Sequence, residues 1–197
     1  MLSPSDHGML KENCIHDSPP IKMVETCTND SFRSQWGSPN PERAANEFAA
    51  DLLLPRPIFC KYSNALPVTL ESTRVLARQF ETSLAATAIR LVQHGSFPAI
   101  VIYSVRGNRK WFIAGPDVPN ALWPRETPLR STIAWELTHG KNTSPGPSEI
   151  QADAWFTHPR SKWYEVVEDS VKFKDEAILT LLWWKNEKQI IDVVSDE

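Results

Sequence analysis

The spacing of apolar residues divides the chain into three stretches. Residues 1–40 follow neither a helical nor a strand period and contain four prolines, which predicts an irregular N-terminal segment. Residues 41–96 follow a helical period, whereas residues 97–197 contain short apolar runs typical of strands. The pattern predicts an α+β protein, with a helical segment over 41–96 and a small mixed α/β domain over 97–197.

The first predicted helix begins at Asn40-Pro41-Glu42, which provides a cap residue, a proline at the first helical position and an acid in the first turn. Pro55 and Pro57 are expected to end this helix. Its apolar residues recur at helical spacing and form one continuous face: Ala45, Phe48, Ala49, Leu52 and Leu53. Glu42 lies off the centre of that face, where it is available to solvent or to a site.

Two more helices are predicted, one over Thr69–Phe80 and one between the cap Ser83 and the stop at Gly95. A hairpin follows, because AIVIYSV and KWFIAG flank Arg106-Gly107-Asn108. The remaining predicted elements are a short helix near Ser131–His139 and strands over Lys162–Glu168 and Ala177–Trp184.

Composition narrows the class of protein. With 41% apolar and 23% charged residues among 197, the chain suits a folded protein rather than a disordered one. No apolar run approaches the roughly 18–20 residues of a membrane span, and no signal-peptide pattern is visible. A net charge of −3 argues against a general nucleic-acid binder. Three cysteines, an odd number, fit reduced thiols and lead us to expect a cytoplasmic location.

One string carries a family resemblance. ERAANEFAADLLLP, from Glu42 to Pro55, resembles the E-x-x-A-N-x-F-A-x-x-L-L-x-P helix of the ImmA/IrrE family of zinc metallopeptidases. The stretch LARQFETSLAATAIRLVQHGSFPAIVIYS and the tail from ADAWF to ILTLLWW also resemble that family. The resemblance implies a zincin-like helical core, a helix-turn-helix-like middle and a sensor-like C-terminal domain. It also implies a bacterial or phage-linked regulator whose partner is a repressor-type transcription regulator, cleaved by it or at its prompting.

The resemblance implies a zinc cofactor, for which Glu42 would supply the third protein ligand. The other two ligands and a glutamate base would come from H-E-x-x-H, and the chain contains no such sequence. His7 and His16 precede Glu42 but cannot lie one turn apart on a helix. The alternative role of Glu42 is to complement the helix dipole. The sequence therefore predicts a member of this lineage that neither holds zinc tightly nor cleaves protein.

Three other groups of residues have a site-like composition. The segment from Trp135 to His139 is H-E-x-x-H with tryptophan at the first position, and packing of a short helix is the favoured explanation. Cys14, His16 and Cys27 match no zinc template. His94 ends a predicted helix, where a cation complements the dipole, and His158 is expected in a loop.

Two further functions remain open. The helices over 69–94 have the shape of a helix-turn-helix, with Thr87, Arg90 and Gln93 placed to reach bases. Three arginines against two glutamates give little phosphate neutralisation, so a packed helical pair is favoured. The other hypothesis is a non-catalytic regulator that binds a partner protein or small ligand through its C-terminal half. Seven of the eight tryptophans lie there, although core packing also explains them.

Overall fold

The structure is a computed structural model that describes residues 41–140, 143–174, 176–186 and 188–194, without the side chains of residues 41–46, 174, 191, 193 and 194. The helices within these residues are α1 (Pro41–Leu53), α2 (Arg56–Ser63), α3 (Leu70–Gln79), α4 (Leu84–His94), α5 (Ile133–Thr138) and α6 (Lys188–Val194). The strands are β1 (Ala99–Val105), β2 (Asn108–Ala114), β3 (Ser148–Gln151), β4 (Glu165–Lys174) and β5 (Ala177–Trp183). The predicted α+β class is confirmed.

The five strands form one antiparallel sheet in the order β2-β1-β5-β4-β3. The predicted hairpin joins β1 to β2, and its turn residues Arg106 and Gly107 have φ values of 51° and 76°. Two successive positive φ values match the turn to the twist of the strands. A second hairpin joins β4 to β5, with Glu176 at a φ of 58° in its turn. Because β1 and β5 are neighbours, the two turns lie side by side.

Alternation along the strands gives the sheet two apolar faces. On one face, Ile100, Ile102 and Ile178 pack in a cluster with α5 and with the loop residues Trp155 and Phe156. On the other face, the neighbouring strand residues pack against α2, α3 and α4: Ala99, Val101, Val171, Leu179 and Leu181. Each fully buried leucine or isoleucine contributes about 1.5–3 kcal/mol to folding. The sheet is therefore the layer on which all the packed helices depend.

The edge strands are β2 and β3. In β2, Lys110 is an extra residue between Arg109 and Trp111, which pair with successive residues of β1. The outer side of β2 is partly covered, because the Arg109 amide donates a hydrogen bond to the Glu126 carbonyl at 2.7 Å. The other edge strand, β3, has only four residues.

The region after α1 differs from the prediction. Pro55 and Pro57 end α1, but they also begin a second helix, α2, with Pro55 at its cap position and Pro57 in its first turn. A proline is tolerated there because first-turn amides have no partner within the helix. The predicted strand over Lys162–Glu168 is also shifted, since a short 3-10 helix occupies Pro159–Trp163 and β4 begins at Glu165.

The apolar face predicted for α1 is exposed. Phe48, Leu52 and Leu53 retain 71%, 70% and 58% of their accessible surface. A stripe of this spacing normally faces a core, yet the residue that joins the core is Leu54, just beyond the helix. The α1 helix is thus present as predicted, but its apolar face is not packed against the described residues.

The pair α3 and α4 has the predicted boundaries. The Ser83 hydroxyl caps α4 as expected, accepting from the Ala86 amide at 3.1 Å, and the Thr69 hydroxyl caps α3 in the same way, accepting from the Ser72 amide at 3.0 Å. Thr87 and Arg90, proposed above as base-reading residues, are buried. The face of α4 that carries them packs within the protein, which removes both from a DNA-facing surface.

The proposed division between residues 41–96 and 97–197 stays a prediction about domains. The apolar cluster formed by α2, α3 and α4 includes strand residues from β1 and β5, so one core extends across that boundary. None of the helices among the described residues is long and apolar enough to cross a membrane.

Candidate functional site: a cavity beside two hairpin turns

An open cavity of about 540 Å³ lies where the two hairpin turns meet the C-terminal end of α5. The residues that line it come from three places in the chain: Arg106, Leu137, Thr138, Lys172, Phe173, Glu176 and Ile178. Its volume falls within the range of small-molecule sites, roughly 300–1,000 Å³. The antiparallel register brings these residues together, since Lys172 pairs directly with Ile178 across β4 and β5.

The two turns are linked at the mouth of the cavity. The Arg106 amide donates to the Glu176 carbonyl at 2.9 Å, and the Arg106 side chain donates to the Glu176 carboxylate at 2.5 Å. This side-chain hydrogen bond and the adjacent negative charge raise the pKa of Arg106. Both side chains remain largely exposed, so the ion pair positions the turns more than it stabilises the fold.

The turn of the first hairpin closes against α5. Gly107 has a positive φ of 76°, and a Cβ atom built there would lie 3.4 Å from the Thr138 methyl group. The Thr138 hydroxyl is engaged by its own helix, donating to the Ala134 carbonyl at 2.8 Å. The positive φ, rather than the space beside Thr138, is what favours glycine in this turn.

A row of polar side chains on one face of β4 extends from the core to the cavity, with Glu168 and Ser170 buried and Lys172 exposed. Glu168, Ser170 and Lys172 project from the same face of β4, since they alternate along the strand. The Ser170 hydroxyl lies 2.7 Å from both the Glu168 carboxylate and the Thr180 hydroxyl. Only Lys172, at the end of this row, reaches the cavity.

Glu168 is fully buried and caps α5. Its carboxylate accepts hydrogen bonds from the Ile133 amide at 3.1 Å and the Ala134 amide at 2.8 Å. Burial raises the pKa of Glu168, while the hydrogen bonds from Ser170 and from the α5 amides act in the opposite direction. This carboxylate fixes the helix that forms one wall of the cavity.

Asp169, the next residue, faces the other side of the sheet. Its carboxylate accepts a hydrogen bond from the Leu70 amide at 2.7 Å, at the beginning of α3. Burial raises the pKa of Asp169, and the Leu70 amide and Arg74 lower it by a smaller amount. Neither acid is a candidate site residue from the sequence, although Glu168 and Asp169 lie between Val167 and Val171 in a strand, where buried acids need partners.

The cavity lining combines charged and apolar side chains. Its described lining holds two cations, Arg106 and Lys172, and one carboxylate, Glu176, which is paired with Arg106. The apolar part of the lining comes from Leu137, Phe173 and Ile178. Nothing in this described lining is placed as a nucleophile with an adjacent base. The arrangement fits a small anion that also carries an apolar group.

The contact of α1 with α4 is built on a buried arginine. Arg90 donates through Nε to the Leu54 carbonyl at 3.0 Å and pairs with Asp51 of α1. His94 lies one turn further on, and burial lowers its pKa, with Arg90 and Arg56 acting in the same direction. His94 ends α4 as expected, and its surroundings favour the neutral imidazole over the cation that would complement the helix dipole.

The segment from Trp135 to His139 belongs to the short helix α5 and its C-terminal cap. The Trp135 and His139 rings stack with centroids 3.9 Å apart, and His139 Nδ1 lies 2.8 Å from the Trp135 carbonyl. Leu137 is buried in the core. His158 caps the 3-10 helix that follows it, accepting from the Arg160 amide at 3.3 Å.

Among the described residues, the donor set does not fit a zinc site. Three protein ligands must converge on the metal, and no group of three His, Cys, Asp or Glu side chains does so in the described part of the chain. The three described histidines lie on separate elements, at His94, His139 and His158. Glu42 lies in the first turn of α1, but its side chain is outside the description, as are His7, Cys14, His16 and Cys27.

Comparison with known proteins adds no relative. No protein-family model matches the chain, and no curated protein matches it with significance. The likeness to the ImmA/IrrE family therefore rests on the sequence strings alone.

Proposed function

We propose that this chain is a cytoplasmic regulatory protein of the ImmA/IrrE lineage that works by binding a small anionic ligand, without cleaving protein. The observation that carries the proposal is the cavity beside the hairpin turns, with two cations and an apolar floor. Ligand binding there would change the position of α5 or of the turns, which a repressor-type partner would sense.

The charges of the cavity favour an anion. Two cations, Arg106 and Lys172, belong to the described lining. Cations of this kind bind a carboxylate or phosphate group, and arginine does so with a planar pair of donors. Leu137, Phe173 and Ile178 provide the apolar contact that retains the rest of a small molecule. The ligand class is therefore an acid or phosphate ester with a compact apolar group.

The binding test uses four probes on the full chain: hexanoate, benzoate, phenyl phosphate and inorganic phosphate. Amide NMR signals of Lys172, Phe173 and Ile178 are followed during titration. We expect a saturable shift with at least one apolar anion and little with inorganic phosphate, because the latter gains no apolar contact. Lys172→Ala should weaken binding about tenfold.

Lys162→Ala is the matched control, since Lys162 is an exposed lysine that lies over the Trp163 ring, 4.9 Å from its centroid. It should leave the affinity unchanged. The absence of saturable shifts with all four probes would overturn the proposal, as would equal losses for the two lysine variants.

The metal part of the proposal has a separate test. We expect purified full-length protein to contain far less than one zinc per chain, and a chelator to leave its melting temperature unchanged, because the sequence has no H-E-x-x-H to supply the other two ligands. Zinc content by mass spectrometry and thermal unfolding measure these outcomes. Stoichiometric zinc that is lost in Glu42→Gln would instead establish a metal centre built on Glu42.

A further inference from the structure

The α1 helix exposes an apolar face that a surface helix of a globular protein normally buries. Of residues 47–53, whose side chains are described, Ala50 is half-buried and the others are exposed. Phe48 and Leu52 are one turn apart, and each keeps about 70% of its surface. Together they form a ridge of two large side chains, which we call the α1 ridge.

The contacts that hold α1 do not involve the α1 ridge. Asp51 pairs with the buried Arg90, and Arg90 also binds the carbonyl of Leu54, which is packed in the core. These contacts fix the C-terminal end of the helix. The ridge therefore remains available to a further apolar segment.

We propose that Phe32 and Trp36 of the same chain pack on the α1 ridge. The segment that carries them ends at Asn40, directly before Pro41, the first residue of α1. Phe32 and Trp36 are four residues apart, as are Phe48 and Leu52. Because residues four apart on a helix share a face, Phe48 and Leu52 offer two adjacent apolar contacts to such a segment.

The chain between the two pairs is long enough. Phe48 lies roughly 10 Å along the helix from Pro41, at about 1.5 Å per residue. Trp36 is five residues before Pro41 and can be as far as about 17 Å from it, at roughly 3.3–3.6 Å per residue. The intervening Gly37-Ser38-Pro39-Asn40 is turn-forming sequence, which favours reversal of the chain before α1.

Proximity in the chain favours this occupant over a second copy of the protein. A segment tethered by a few residues has an effective concentration of about millimolar, well above the concentration of another molecule in dilute solution. Phe32 and Trp36 are also the last large apolar residues before α1. The ridge is therefore assigned to the chain's own N-terminal segment.

The test is amide hydrogen exchange of the full chain, read over residues 47–53. Phe32→Ser/Trp36→Ser should accelerate exchange there by about tenfold or more, because two buried aromatic contacts are lost. The reciprocal variant Phe48→Ser/Leu52→Ser should accelerate exchange over residues 31–37. Unchanged exchange of the buried strand residues Ile100 and Leu179 shows that each variant is folded.

Trp163→Ser is the matched control, because Trp163 is also a large apolar residue and is 66% exposed. It should leave exchange over residues 47–53 unchanged. Equal exchange in the wild type and in Phe32→Ser/Trp36→Ser overturns the proposal. Protection that disappears on dilution, with a larger mass by light scattering at high concentration, overturns it in favour of a second copy.

Discussion

At the scale of single residues, Glu168 and Asp169 each connect the sheet to the beginning of a helix. They are adjacent on β4 and therefore point to opposite faces of the sheet. Glu168 accepts from the first amides of α5, and Asp169 accepts from the first amide of α3. One dipeptide thus sets the position of a helix on each side of the sheet.

Removing the Glu168 carboxylate should be strongly destabilising. Glu168→Ala leaves the Ile133 and Ala134 amides and the Ser170 hydroxyl without their buried acceptor. We expect a loss of about 2–4 kcal/mol in the free energy of unfolding, measured by urea denaturation. Glu168→Gln keeps one acceptor oxygen and should lose less.

The control for this prediction is Glu165→Ala, at an exposed glutamate at the start of the same strand. It should change the free energy of unfolding by no more than about 0.5 kcal/mol. Similar losses at Glu165 and Glu168 would mean that the buried hydrogen bonds do not determine the stability.

At the scale of elements, α3 begins with two different caps. Thr69 provides a local cap, because its hydroxyl accepts from the Ser72 amide. Asp169 provides a distant one through the Leu70 amide, 99 residues away in sequence. The first cap is a property of the local sequence, whereas the second exists only once the sheet has formed.

The local cap can be measured by itself. Thr69→Ala removes the acceptor of the Ser72 amide and should lower the free energy of unfolding by about 1 kcal/mol. Thr69→Ser retains the hydroxyl and serves as the control, with little loss expected. Chemical denaturation measures the free energy of unfolding of both variants. An equal loss in Thr69→Ala and Thr69→Ser would assign the effect to the methyl group.

Local signals predicted many of the elements. The caps Thr69 and Ser83 mark helices that form where expected, and Arg106-Gly107 marks the hairpin turn. The α2 helix was missed because the same prolines that end α1 also begin α2. The strand β3 and the helix α6 were missed because four to seven residues carry no clear period.

The cavity could not be predicted from local signals. Arg106, Lys172 and Leu137 belong to a turn, a strand and a helix that are far apart in sequence. They meet because β1 pairs with β5 and β5 with β4, and the sequence alone does not specify this order of strands. The resemblance predicts a site at Glu42 instead, and the side chain of Glu42 lies outside the described part of the structure.

At the scale of the whole molecule, the buried acids make stability depend on pH. Burial raises the pKa of both Glu168 and Asp169 in the folded protein. Between the unfolded pKa, about 4, and the raised value, the folded chain binds more protons than the unfolded chain. The stabilisation that these two groups contribute is therefore complete at low pH and decreases as the pH rises through the folded pKa values.

This pH dependence can be measured by comparing the stability of wild type with that of a variant that lacks both buried acids. Glu168→Gln/Asp169→Asn cannot titrate at these positions, so wild type should lose stability relative to it as pH rises above about 4. Denaturation curves between about pH 4 and pH 8 provide the comparison. A control variant at exposed acids, Glu165→Gln/Asp192→Asn, should show no such trend. A wild type that gains stability relative to the buried-acid variant would contradict the prediction.

The edges of the sheet also affect how the protein behaves at high concentration. An unpaired edge strand invites another chain to add a strand, which leads to aggregation. In β2 the extra residue Lys110 interrupts the regular pairing and adds a positive charge. The Arg109 amide already donates a hydrogen bond to the Glu126 carbonyl. The opposite edge, β3, is only four residues long. Both edges thus carry features that oppose intermolecular strand addition, so sheet-to-sheet association is disfavoured even in a crowded solution.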